Sequence, residues 1–208
     1  TAPAGPLNLV GSTLPSSAVM GFSAADPDLL SVVTGETDYV QAVVRLALND
    51  ASHTPFTAAD YSALGGVALG TTTPGSATVT GGTNDVLFIR GTLAQVNQAL
   101  TGLAVAFAGD RDERYLVQVL LDDRLRDAAG VLIATTSANG GDKNQPDVPG
   151  SGTLGSIPST DPDWRTVTLS ALAGGYKGNT ASAEVLVRAS NIDDDPVVTA
   201  PSTTVTVY

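Results

Sequence analysis

The chain has 208 residues, 42% of them apolar, and a net charge of −11 from 21 acidic and 10 basic side chains. This balance makes the chain a poor prospect for nucleic acid or anionic membrane, because displacing counterions needs a basic footprint and lysine occurs only at 143 and 177. The absence of cysteine excludes disulfides and thiolate chemistry, and no apolar run approaches the roughly 18 residues of a membrane span.

Twenty-two glycines, with threonine, valine and turn clusters at short intervals, predict an all-β chain. The first 28 residues open on Thr-Ala-Pro (1–3) and reach an Asp-Pro-Asp at 26–28. In "VQAVVRLAL" (40–48), Val40, Ala42, Val44, Leu46 and Leu48 alternate with Gln41 and Arg45, the pattern of a strand with one buried side. His53, the sole histidine, follows in the turn "NDASHTPF" and reads as solvated. "VLFIR" (86–90) is a further strand.

"GTLAQVNQALTGL" (91–103) breaks the β pattern. Leu93, Val96 and Leu100 recur at helical spacing, and Thr92 with Gln95 forms a capping box in which each side chain satisfies an orphaned backbone N–H. Gly102 suits a left-handed exit. The spacing predicts a short helix over about 92–101, packed by its apolar stripe on a sheet edge and held by tertiary contacts.

Strands follow at "YLVQVLL" (115–121), "RTVTL" (165–169), "AEVLVR" (183–188) and "TTVTVY" (203–208). Residues 138–164 are rich in glycine and proline and read as a long loop inserted between two strands. Thr-Ala-Pro returns at 199–201, so the chain divides into a β-sandwich unit over 1–195 and the first strand of a following unit over 196–208.

Carboxylates gather at predicted strand ends and turns: Asp26 and Asp28; Asp110, Asp112 and Glu113; Asp122 and Asp123; and Asn191 with Asp193, Asp194 and Asp195. Calcium takes six to eight oxygens in flexible geometry, and an Asp-x-Asp spacing in extended chain puts two carboxylates on one side about 7 Å apart. Aspartate is also a common turn residue, so each cluster alone fits a solvated turn better than a metal site. Three adjacent aspartates at 193–195 repel one another beyond what Arg188 neutralises, and a divalent cation answers that repulsion. Arg124 and Arg126 offer Asp122 and Asp123 another partner. Asp142, Asn144 and Asp147, near a glycine pair, form a secondary candidate set that fits neither the EF-hand loop nor the calcium β-roll repeat.

Catalytic motifs are missing. "GSGTLG" (150–155) has the spelling of a dinucleotide fingerprint without the preceding strand or following helix, and there is no Gly-x-Ser-x-Gly elbow. Paired carboxylates suit glycoside hydrolysis, but aromatics are only 5% of the chain, too few for the usual stacking platforms. Trp164 and Tyr176 border the inserted region and could stack on a sugar, but Trp164 better suits a core position next to "RTVTL", given the apolar area a tryptophan buries.

"GFSAADPD" (21–28), "GTLAQVNQALTGL", "VQVLLDD" (117–123) and "NIDDDPVVTAPSTTVTVY" (191–208) together resemble the cadherin-like, immunoglobulin-fold repeats of giant bacterial adhesins of the RTX type. The resemblance implies an immunoglobulin/cadherin-like antiparallel β-sandwich in a secreted, rod-like cell-surface protein without enzymatic activity. It also implies calcium at inter-domain joints, bound by Asp26, Asp28, Asp122, Asp123, Asn191, Asp193 and Asp194. Its partners would be neighbouring repeats of the same protein, then surface glycans or like chains. The chain departs from the family in its linker, where Asp193, Asp194 and Asp195 replace Asn-Asp-Ala. It is also about twice the family's usual length of roughly a hundred residues, an ordinary domain size. The main alternative is a carbohydrate-binding domain using the 138–164 loop and Trp164; a carboxylate-dependent glycan hydrolase is more remote.

Overall fold

The computed structural model describes residues 7–11, 18–19, 21–24, 39–107, 113–126, 129–131, 160–175 and 180–191. Among the described residues nine strands and three short helices follow in chain order: β1 (Leu7–Gly11), β2 (Ala18–Val19), β3 (Tyr39–Leu48), α1 (Ala58–Ala63), β4 (Val67–Thr71), β5 (Thr78–Gly81), β6 (Leu87–Gly91), α2 (Leu93–Thr101), β7 (Leu103–Phe107), β8 (Glu113–Arg126), α3 (Leu169–Gly175) and β9 (Thr180–Asn191). One sheet has the order β1-β9-β8-β3-β6-β5 and the other β2-β7-β4. All pairings are antiparallel except β1 with β9, which run parallel with Leu7 opposite Val187 and Gly11 opposite Asn191. The architecture is all-β and sandwich-like, as the composition predicts.

The main core lies between the sheets and is written in the strand alternation. Val40, Ala42, Val44 and Leu46 of β3 meet Tyr115, Val117, Val119 and Leu121 of β8, Val185 and Val187 of β9, and Leu69 and Val105 of the smaller sheet. Leu48, expected on this face, lies at the end of β3 and is 37% exposed. Phe56 packs edge-on against Tyr61 and Tyr115, each pair with ring centroids 5.4 Å apart, the arrangement favoured by aromatic quadrupoles.

Helix α2 forms where its pattern places it. Thr92 is the N-cap, with the reciprocal Thr92–Gln95 capping box complete. Its stripe of Val96, Ala99 and Leu100 enters the main core and does not merely line a sheet edge. Gly102 is not left-handed (φ −99°, ψ 14°); glycine is needed because a Cβ there would collide with the Thr72 and Thr73 hydroxyls. A second capping box, Thr57 with Asp60, starts α1.

"RTVTL" is not a strand. Residues 164–166 turn and 169–175 are α3, because polar side chains satisfy the backbone locally. The Asp163 carbonyl accepts from the amides of Thr166 and Val167, and the Thr168 hydroxyl accepts from the Ala171 amide. Residues 160–175 thus form a strap over the outer face of the large sheet, closing a second apolar cluster of Val43, Val86, Leu120, Trp164 and Leu172. β3 is therefore buried on both faces, and Gln41 and Arg45, expected toward solvent, are 0% and 1% exposed. Of the predicted inserted loop only 160–164 lies within the described residues; "TTVTVY" lies outside them.

Thr92→Ala removes one half of the α2 capping box and is expected to lower unfolding free energy by about 1 kcal/mol, as measured by urea denaturation.

Candidate functional site

The outer face of the large sheet carries a row of polar side chains set by strand register. Arg45 of β3 lies opposite Gln118 of β8, which lies opposite Glu184 of β9. The Arg45 Nε donates to Gln118 Oε1 (2.7 Å), and Gln118 Nε2 donates to Glu184 Oε1 (2.7 Å). Glu184 Oε2 in turn stands 2.7 Å from His53 Nδ1. His53 is therefore held in an ion-pair geometry, not left in solvent as its turn context suggests; its left-handed backbone (φ 48°) belongs to a loop tied by Asp50. That carboxylate accepts from the amides of Ser52 and Thr54 and from the Thr54 hydroxyl, and Thr54 foremost holds the Asp50 carboxyl below its ordinary pKa.

The guanidinium of Arg45 also fastens the strap, donating from Nη1 to the Trp164 carbonyl (2.8 Å). Burial lowers its pKa to about 10, so it stays charged at neutral pH. Its Nη2, Gln41 Nε2 and Trp164 Nε1 are buried without a hydrogen-bond partner among the described residues. Each such donor costs about 1–3 kcal/mol. On the strap's exposed side Arg165 makes a bidentate pair with Asp85, at 2.8 and 2.7 Å. Hydrogen bonding by Arg165 holds the Asp85 carboxyl below its ordinary value.

The acidic candidates among the described residues divide between the two ends of the large sheet. Asp122 and Asp123 lie within β8, not at its end, and Asp122 pairs with Thr180, the first residue of β9. The Asp122 side chain is fully buried on the strap side, cross-strand from Gln41. Asn191 is the last residue of β9, and Glu113 at the start of β8 pairs with Ala189. At about 3.3 Å per residue, Asp122 and Asn191 are roughly 36 Å apart along the sheet.

Asp26, Asp28, Asp110, Asp112, Asp193, Asp194, Asp195, Asp142, Asn144, Asp147 and Tyr176 lie outside the described residues, as do the side chains of Asp123, Glu113 and Asn191. Among the described residues no three acidic or histidine side chains converge to hold a metal ion. The chain leading to Asp26 is nevertheless anchored: Asn97 of α2 accepts from the Ala24 amide (2.6 Å) and donates to the Ala24 carbonyl (2.7 Å). Phe22, Ser23 and Ala24 line a shallow cleft of about 90 Å³ with Leu121 and Ala181, which sets this segment at the Asp122 end. Asn97 has a signal in the sequence, since a polar residue inside a core-facing helix needs a partner, but the partner lies 73 residues away.

Trp164 is 4% exposed, with its ring in the second apolar cluster. No helix among the described residues is long and apolar enough to cross a membrane. Comparison with protein-family models, with curated proteins and with solved structures finds no match to this chain.

Two outcomes follow from the polar row and the strap pair. Gln118→Leu strands a buried guanidinium and is expected to cost about 2–4 kcal/mol, of which adding Arg45→Met returns about 1 kcal/mol or more; additive losses in urea titrations would contradict the coupling. The lowered Asp85 pKa stabilises the fold fully above the ordinary carboxylate value of about 3.9, and this contribution disappears as pH falls through the lower folded value. Wild type should therefore lose more stability than Arg165→Ala between pH 5 and pH 2, as followed by thermal melting.

Proposed function

We propose that the chain is an immunoglobulin/cadherin-like repeat of a bacterial surface adhesin, extracellular and stiffened by calcium, whose work is attachment and not catalysis. The observation that carries this reading is the parallel pairing of β1 with β9. The first strand runs toward the same end of the sheet at which the last strand finishes, with Gly11 beside Asn191. A unit of this kind suits a head-to-tail array along one axis.

The division of the acidic residues supports the same reading. The segment that leads to Asp26 and Asp28 lies toward one end of the large sheet, and Asn191, after which Asp193, Asp194 and Asp195 follow in sequence, ends β9 at the other. Ligand sets at opposite ends would meet when one unit follows another, which is where a cation suppresses hinge motion. Carboxylate-rich sites of modest affinity fill at millimolar extracellular calcium. The Asn97 clamp on Ala24 has a place in this reading, fixing the chain just ahead of Asp26 and Asp28.

Calcium at 2 mM should raise the melting temperature over chelator-treated protein by roughly 3–10 °C, from binding to the native state alone. Asp193→Asn/Asp194→Asn should reduce this rise. Equal melting temperatures with chelator and with calcium would overturn the proposal.

A further inference from the structure

We propose that residues 160–175 are a latched strap that lifts from the large sheet and reseats as a unit while the sandwich stays folded. The inference stands apart from the calcium reading and rests on three observations.

The strap contributes no side chain to the core between the sheets. Its apolar residues, Trp164, Val167, Leu169 and Leu172, belong to the separate outer cluster. Lifting it leaves the inter-sheet packing in place.

The strap is also largely self-bonded. Asp163 accepts from the Arg165, Thr166 and Val167 amides and from the Thr166 hydroxyl, and Thr168 caps the turn that becomes α3. From Pro162 to Leu172, its polar ties to the sheet and its hairpin among the described residues are Arg45 to the Trp164 carbonyl and Arg165 to Asp85. The second is an exposed ion pair, a contact of the strength that opens readily.

Closure leaves Arg45 Nη2 and Trp164 Nε1 buried without hydrogen-bond partners among the described residues. Water reaches both once the strap lifts, so the closed state carries a penalty that opening relieves. Local opening of a unit with few buried contacts is how low-stability segments behave within stable folds. The open form bares the Trp164 ring, the apolar Val43 and Leu120, and the Arg45 guanidinium, a combination of aromatic face and cation that the closed form conceals.

Trp164 is the only tryptophan, so acrylamide quenching of its fluorescence reports the strap alone, and hydrogen exchange compares strap with sheet. In wild type the amides of Thr166, Val167 and Leu172 should exchange at least about tenfold faster than those of residues 43–46 and 117–120. Arg165→Ala and Asp85→Ala should each speed strap exchange about two- to fivefold, the range of an exposed pair, with Trp164 quenching rising in step and sheet exchange unchanged. The proposal fails if strap and sheet exchange at one common rate. It fails equally if the variants leave strap exchange unaltered, or if wild-type Trp164 is quenched as readily as in urea.

Discussion

The guanidinium of Arg45 sits where a β-sandwich ordinarily meets water, yet it is enclosed, because residues 160–175 cover the face of β3 and β8 on which it stands. A buried cation is tolerable only with acceptors in reach, and Gln118 and the Trp164 carbonyl supply them. Through Gln118 the charge is linked to Glu184 and His53, so one side chain ties β3, β8, β9, the loop after β3 and the strap into a common polar layer. The central strand pair consequently has two interiors of different character. The one between the sheets holds apolar side chains and tyrosine rings, whereas the one beneath the strap mixes Val43, Leu120 and Trp164 with charged and amide groups.

Much of the inter-sheet side was legible in the sequence. The alternation of Val40, Ala42, Val44 and Leu46 is a local property, as is the Thr92–Gln95 pairing that starts α2, and both appear where their spacing places them. "RTVTL" misled because period-two alternation does not distinguish a strand from a turn whose hydroxyls and carboxylates satisfy the backbone. The burial of Arg45 was beyond local pattern, since it depends on a segment more than a hundred residues downstream folding back over it. Likewise His53 gains its partner only when β9 is in register with β8. In each of these cases the deciding contact is one between distant parts of the chain.

The acidic residues were legible as groups but not as a map. Sequence placed Asp122 and Asp123 at a strand end; β8 instead continues through them to Arg126. Register then separates Asp122 from Asn191 by nearly the length of β9. The motif asparagine in "GTLAQVNQALTGL" acquires a physical reason as well. Asn97 holds both backbone groups of Ala24 with one side-chain amide, which a hydrophobic residue at that helical position could not do.

The β1–β9 ladder has a mechanical consequence. A pull on the chain ahead of Leu7 and beyond Asn191 draws the two parallel strands in opposite directions along their shared axis. The hydrogen bonds across the five register pairs from Leu7–Val187 to Gly11–Asn191 then share the load in shear, and must yield together. An antiparallel pair at the same place would be peeled open one bond at a time.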